Sequence, residues 1–255
     1  MNIKFRKYLA KALYWYVSRV DTSADITFMN YGYSDQKQEI DLTPEEEPNR
    51  YPIQLYHHIA ENIDFRNKAL VEVGCGRGGG LFYIVKRWSP YSATGIDISK
   101  TAVRFCNDNF KIEGLTFLHG DAQHLPFENQ SCDIVINVES SHRYENFEGF
   151  LTEVHRILCN GGLFLLADYR SKKKLPGLRD AIKAASFRVV KEEFINQQVV
   201  SALQLNSDRK RLWVKKLAPF FLHTIGRLFA DAIESKLIEK FSSNRKLYFY
   251  YILQK

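Results

Sequence analysis

No C-x-x-C pair occurs in this 255-residue chain. Its four cysteines, at positions 75, 106, 132 and 159, stand apart, which argues against a zinc site and against a secreted disulfide scaffold. Long apolar runs are missing as well: none reaches the ~20 residues that a membrane-spanning helix needs. There is no internal repeat and no low-complexity linker. Acidic side chains are absent from Met1 to Val20, which carries five basic ones; Lys11 interrupts what would otherwise be a signal-peptide core. Carboxylates and histidines do not gather at metal-ligand spacing, so no metal is expected. What remains is a chain rich enough in apolar residues (45%, with 14% aromatic) to exclude disorder. A reduced, cytoplasmic compartment fits it best.

The formal charge of +7 is unevenly spread. Residues 21–60 are acidic, with Glu45-Glu46-Glu47 the densest run. Asp208 to Lys216 is basic, and the apolar Leu217-Ala218-Pro219-Phe220-Phe221-Leu222 follows. Charge alone would attract nucleic acid, but aromatics beside the lysines suit a greasy surface equally well, and a solvated helix face is the simplest account. In Met1–Val20, Phe5, Leu9, Ala12, Leu13, Tyr16 and Val17 recur at helical spacing. Such a helix either caps the active site or lies peripherally on the inner, anionic face of a membrane, and the two roles are compatible.

From residue 68 onward strands and helices alternate, which predicts a parallel sheet. The strands are expected at Ala69–Val73, Ala93–Asp97, Leu115–Asp121, Cys132–Asn137, Leu163–Asp168, Phe187–Phe194 and Leu247–Leu253. Helices are expected at Ser99–Phe110 and Phe147–Leu158, the second closed by Asn160-Gly161-Gly162 as a C-cap. The reading is one α/β domain over 1–255: an N-terminal helical cap (1–60), a ligand-binding core (61–196), a helical lid or insertion (197–241) and the last strand (242–255).

The most informative stretch is Leu70-Val71-Glu72-Val73-Gly74-Cys75-Gly76-Arg77-Gly78-Gly79-Gly80. It reads as strand, tight turn and helix start, the opening unit of a nucleotide-binding sheet. Gly74, Gly76 and Gly79 fit the dinucleotide spacing, but Glu72 would repel a pyrophosphate and hold a cation instead. S-adenosylmethionine carries an ammonium and a sulfonium and no phosphate, so a methyltransferase is favoured over a dehydrogenase. Ligands of open parallel sheets bind at the strands' carboxyl ends, and suitable groups fall there in turn. Glu72 and Gly74 end strand one, with Cys75 and Gly76 in the turn after it. Asp97 would accept both ribose hydroxyls, and Ile98 would pack on adenine. Asp121 and Ala122 would meet the adenine edge. Asn137 would lie near the sulfur-bearing arm. Any one of these could be a helix cap and nothing more, Asp97 above all; four strand ends in a row make coincidence a poor account. Beyond strands four and five stand His142, a base suited to neutral pH, and Asp168, a carboxylate able to orient it.

The chain resembles the phthiotriolone and phenolphthiotriolone dimycocerosate O-methyltransferases, class I S-adenosylmethionine-dependent enzymes. The resemblance rests on Phe28-Met29-Asn30-Tyr31-Gly32-Tyr33, Glu47-Pro48-Asn49-Arg50, the glycine motif, Gly120-Asp121-Ala122, Asn137-Val138-Glu139-Ser140-Ser141-His142 and Ala167-Asp168. It implies a Rossmann-like seven-stranded sheet and methylation of a hydroxyl on a lipid or polyketide-derived acceptor. It also implies His142 and Asp168 as the catalytic pair, and a segment closing over the cofactor that brings Tyr33 near the methyl group. Glu139, Phe220 and Phe221 are the expected substrate contacts. A carbon methyltransferase, with His142 or Glu139 stabilising an intermediate, and a non-catalytic S-adenosylmethionine-binding protein are the alternatives.

Overall fold

A computed structural model describes residues 26–35, 40–206 and 234–255. The expected basic helix of Met1–Val20, the Arg209–Phe221 segment and, with it, Phe220 and Phe221 lie outside the described residues.

The seven strands are β1 (Ala69–Val73), β2 (Ser92–Asp97), β3 (Leu115–His119), β4 (Cys132–Val138), β5 (Leu158–Ser171), β6 (Arg188–Phe194) and β7 (Lys246–Gln254). They form one sheet in the order β3-β2-β1-β4-β5-β7-β6. Strands β1 to β5 pair in parallel, and β7 runs antiparallel between β5 and β6. The order reverses at β1 and β4, so their carboxyl ends open a crevice for a ligand. The helices among the described residues include α1 (Arg50–Ala60), α2 (Gly79–Trp88), α3 (Lys100–Asn109), α4 (Phe147–Ile157), α5 (Leu175–Ala184) and α6 (Asn196–Leu205); residues 234–242 are helical too.

Strand alternation divides the core into two layers. Leu70, Ile134, Ile136, Leu165, Tyr248 and Tyr250 pack with α1, α2 and α6 on one face. Val71, Val73, Val135, Phe164, Leu166 and Phe249 pack with α4 and α5 on the other. By the same alternation Glu72 faces α1. It is 1% exposed, and the Tyr56 hydroxyl of α1 donates to its Oε1 at 2.7 Å.

Two local readings change. Helix α4 stops at Ile157, and Asn160-Gly161-Gly162 is not its C-cap but part of β5. Leu158 already pairs with Cys132, and the register slips before Ile134 meets Leu163. The glycines accommodate that bulge: Gly161 has φ +78, and a Cβ on Gly162 would stand 2.9 Å from the carbonyl oxygens of Asp133 and Cys159. Asp97 is not a helix cap either. Ser99 caps α3, its Oγ accepting from the Ala102 N–H at 3.3 Å, which leaves Asp97 to the glycine turn.

The fit of α2 against α1 depends on Gly80. A Cβ there would lie 1.9 Å from Cζ of Tyr56, so the ring must leave before alanine fits. Gly80→Ala should therefore destabilise the fold by ~1–3 kcal/mol, the usual cost of overpacking, and weaken cofactor binding by releasing Glu72 from Tyr56. Urea unfolding checks the first effect; a loss below ~0.5 kcal/mol would mean that the ring is not locked in place.

Candidate active site

The β1 turn is clamped to β2. Gly74 and Cys75 N–H groups both donate to the Ile96 carbonyl, at 2.7 and 3.0 Å, and the Gly76 N–H donates to Asp97 Oδ2 at 2.9 Å. Asp97 Oδ1 accepts from the Ser99 N–H at 2.8 Å. Gly74 has φ +75, and a Cβ on it would collide with Ser140 Oγ at 2.0 Å; only glycine lets the β1 and β4 tips approach so closely.

A cavity of about 130 Å³ lies over this turn. Gly74, Cys75, Gly76 and Asp97 form its floor, Glu139, Ser140, His142 and Tyr169 one wall, and Thr27–Tyr31 its roof. The roof is tied down at several points. Arg77, buried with its guanidinium over the Phe105 ring, donates from Nε to the Ile26 carbonyl. The Gly79 N–H donates to the Thr27 carbonyl at 3.2 Å, and the Tyr31 N–H to Glu139 Oε1 at 2.7 Å. A larger open hollow of about 340 Å³ beside α5 and β6 shares no residue with this cavity.

Two carboxylates near the crevice are in opposite states. Burial pushes the Glu72 carboxyl up to about 7, and the nearby Asp97 charge adds to the shift, against the opposing Tyr56 bond. Its Oε2 is buried with no hydrogen-bond partner. Asp168 is wholly buried, and burial is the largest influence on it. The His142 charge and hydrogen bond, the Arg170 guanidinium and the Ser141 hydroxyl together outweigh that burial and hold Asp168 well below the usual carboxylate range. His142 Nδ1 lies 2.8 Å from Asp168 Oδ1. Because the carboxylate can only accept, Nδ1 carries the proton and Nε2 is the acceptor nitrogen, 3.1 Å from Tyr169 Oη.

Several expected residues take other places. Tyr33 does not reach the cavity: it is buried and stacks on His58 with centroids 4.2 Å apart. Tyr31, two residues earlier, lies in the roof instead, because the chain turns at Gly32 with φ +89. Asn137 is buried beneath the wall, with its amide spent inside the fold. Its Nδ2 donates to the Val73 carbonyl at 2.7 Å and to Tyr144 Oη at 2.9 Å, and its Oδ1 accepts from the Ser141 N–H at 3.2 Å. It braces β4 against β1 and does not line the cavity. Ile98 is 65% exposed beside the crevice. Asp121 and buried Ala122 stand just past β3, where Asp121 Oδ1 accepts from the Gln123 N–H at 2.9 Å. Glu139 is in the wall, but its Oε1 is held by Tyr31 and, at 2.9 Å, by the Tyr248 hydroxyl. Sequence reasoning missed Tyr56, Arg77, Tyr31 and Tyr169. Nothing in local spacing marks them; each acts through a partner distant in the chain.

With the geometry in view, comparison with known proteins is direct. A methyltransferase-domain profile matches residues 71–166. The fatty-acid O-methyltransferase of Mycolicibacterium smegmatis is 40% identical over 223 residues, 87% of this chain and 81% of that one. The phthiotriol/phenolphthiotriol dimycocerosates methyltransferase of Mycobacterium tuberculosis is 37% identical over 219 residues, 85% of this chain and 81% of that one. The chain belongs to this family of class I S-adenosylmethionine-dependent methyltransferases. Among solved structures, geranyl diphosphate methyltransferase bound to its methyl donor superposes with a TM-score of 0.68 at 15% identity, over 90% of this chain and 99% of that one. The cyclase SpnF superposes with a TM-score of 0.73 at 16% identity, over 96% and 94%. At such identities the likeness shows the fold alone.

S-adenosylmethionine is the cofactor, and the residues present fit it. Asp97, in the cavity floor at the β2 end, suits vicinal hydroxyls, and the glycine turn leaves room for the backbone to approach; Glu72 does not line the cavity but lies buried beside it, with Oε2 the unpartnered acceptor open to an ammonium.

An ammonium held by Glu72 would give this site a pH dependence of definite sign. Its carboxyl is raised, so it is neutral below about 7 and attracts an ammonium only once ionised. S-adenosylmethionine affinity should rise with pH through that value and then level off, with proton release on binding below it. The same shift implies that the ligand-free fold loses stability between the ordinary glutamate pKa, ~4.3, and about 7, since the unfolded chain binds fewer protons there. Calorimetry in buffers of different ionisation enthalpy measures the proton release. Glu72→Gln should abolish the step while leaving any contribution from Glu139, which burial raises to about 8. An unchanged step in that variant would remove Glu72 from the ammonium site.

Proposed function

We propose that this protein methylates an oxygen of a lipid-like or polyketide-derived acceptor, with His142 as the base that receives the acceptor's proton. One observation carries the reading: an imidazole on the cavity wall has Nδ1 fixed by a buried, ionised aspartate, which leaves Nε2 as its acceptor. S-adenosylmethionine supplies an electrophilic methyl group. The chain's own contribution is to hold the acceptor in line with it, worth ~7–11 kcal/mol where alignment is good, and to accept the proton, worth ~10²–10⁴ in rate. The Thr27–Tyr31 roof excludes water, which favours a reaction that discharges a cation. Carbon methylation with Glu139 in the leading role fits less well, since Tyr31 and Tyr248 already engage that carboxyl.

Two features support an apolar acceptor. The related enzymes named above act on fatty acids and dimycocerosates. Tyr31, Tyr169, Phe241 and Tyr248 form one aromatic cluster at the cavity edge, with Phe241 5.8 Å from Tyr169 and 6.2 Å from Tyr31 between centroids. The acceptor also meets Phe220 and Phe221, and the basic Met1–Val20 segment meets an anionic membrane from which the acceptor is drawn. No helix among the described residues is long and apolar enough to cross a membrane.

His142→Ala should keep S-adenosylmethionine affinity within a few-fold yet slow the chemical step by ~10²-fold or more. Single-turnover kinetics measures this; parental turnover across several pH values would disprove the assignment. Asp168→Asn should slow the reaction less but also destabilise the fold, because Arg170, 3.1 Å away, would lose a buried counter-charge.

The surface role is checked by sedimentation with anionic vesicles. Binding should weaken as salt rises, since exposed charges are screened beyond ~10 Å at 0.1 M, and deleting residues 1–18 should raise KM for an apolar acceptor. Absence of vesicle binding at low salt, with efficient turnover of a small water-soluble alcohol, would point to a soluble acceptor.

A further inference from the structure

His142 Nε2 does not face open space. Tyr169 Oη lies 3.1 Å from it, and the Arg143 Nε–H reaches it at 3.3 Å. With Nδ1 protonated against Asp168, Nε2 has one lone pair, and the phenol is the nearer donor to it. Tyr169 Oη in turn lies 3.3 Å from Tyr31 Oη, in the roof. A chain of polar atoms therefore runs from the cavity roof through Tyr169 to His142 and Asp168. An acceptor hydroxyl bonded to the Tyr169 oxygen is thereby connected to the imidazole.

The Tyr169 ring is held, so it cannot simply swing aside. Tyr31 stacks on it with centroids 5.6 Å apart, the His142 ring lies 4.5 Å away, and Phe241 meets it edge-on at 5.8 Å. Its own N–H donates to Asp168 Oδ1 at 2.8 Å, which ties the backbone to the same carboxylate that orients the histidine. Lys246 Nζ stands 4.1 Å from the ring centroid, a position that favours negative charge building on the phenol.

We propose that Tyr169 is a catalytic residue, the phenol that takes the acceptor's proton while passing its own to His142. The inference rests on His142 being the base. As the acceptor oxygen bonds to the methyl carbon, the carbon–sulfur bond breaks and its electron pair stays on sulfur. The acceptor's proton moves to Tyr169 Oη, the Tyr169 proton moves to His142 Nε2, and the imidazolium formed rests against Asp168. Tyr169 ends neutral, as it began. Burial, with Glu139 and Asp168 nearby, pushes its hydroxyl up to about 12 even though the Tyr31 bond opposes this. A free phenolate is thus costly, and a concerted transfer avoids it.

The test uses the full chain, with hexadecanol and hexadecanoic acid in mixed micelles as probes. Hexadecanoate at neutral pH has no proton to give up; hexadecanol does. Tyr169→Phe should lower kcat on hexadecanol by ~10²-fold, comparably to His142→Ala, with KM within a few-fold, and its loss on hexadecanol should exceed its loss on hexadecanoate by ten-fold or more. A second readout needs no turnover. In ¹⁵N-histidine spectra of the ligand-free protein, the His142 Nε2 resonance should move when the Tyr169 hydroxyl is removed, while the Nδ1 resonance stays near its parental position. If His142→Ala loses its rate but Tyr169→Phe turns over hexadecanol at the parental rate, the relay is overturned and the histidine base stands. If both variants keep the parental rate, the base reading falls too. A His142 Nε2 resonance indifferent to Tyr169→Phe overturns the relay irrespective of either probe.

Discussion

A single buried carboxylate, Asp168, organises the turn after β4 and the end of β5. It has no exposure to water, yet it is held ionised, and a buried charge persists only where donors and opposite charge surround it. Ser141 Oγ donates at 2.6 Å, the His142 backbone N–H and the His142 ring at 2.8 Å each, and the Tyr169 N–H at 2.8 Å, with Arg170 3.1 Å away. These donors come from the single 3-10 turn after β4 and from the end of β5. Neither segment could shift without stranding the charge. The position of His142 is therefore a consequence of satisfying Asp168, not a separate feature of a loose loop.

Glu72 is the counterpart on the opposite face of the sheet, and its treatment is the reverse. Tyr56 satisfies one oxygen and the other is left without a partner, and burial raises the proton affinity of the carboxyl. One carboxylate is fully compensated inside the fold; the other keeps an oxygen without a hydrogen-bond partner. Between them, Ser140 and Tyr144 close over Gly74, so the two faces meet at the point where the β1 and β4 tips are nearest. The two carboxylates thus differ: Asp168 fixes the turn after β4 against the end of β5, while Glu72 keeps one oxygen unsatisfied.

The sheet was legible because its signals are local. Apolar runs, glycine turns and strand-end carboxylates repeat over short windows, and the seven strands, the β1 turn and the His142–Asp168 pair all follow from them. Asn160-Gly161-Gly162 misled because glycine after a helix and glycine in a bulge look alike in sequence; the pairing of Leu158 with Cys132 decides between them, and it is non-local. Tyr33 misled for a related reason. A segment known to form a roof does not say which of its two tyrosines points inward, and the turn at Gly32 decides. Asn137 sits at a strand end as expected, but whether an amide serves a ligand or the fold depends on what surrounds it, and here Val73, Tyr144 and Ser141 claim it.

The aromatic cluster was the least visible part and bears most directly on chemistry. Tyr31 comes from the roof, Tyr169 from β5, Tyr248 from β7, and Phe241 from the helical residues before β7. No window of sequence contains more than two of them. They meet because β7 runs antiparallel beside β5, pairing Tyr169 with Tyr248, and because Glu139 accepts from both Tyr31 and Tyr248. Glu139 itself holds a positive φ of 48°, a conformation that costs a non-glycine residue and that its surroundings must maintain. The carboxyl thus links the roof to β7 at the place where the chain leaves β4 for the catalytic turn. Closing the roof, seating Tyr31 on Tyr169 and turning His142 toward the cavity are then parts of one packing arrangement. An acceptor that displaces Tyr31 from Tyr169 must disturb the roof as well, which couples recognition of the acceptor to the exclusion of water from the site.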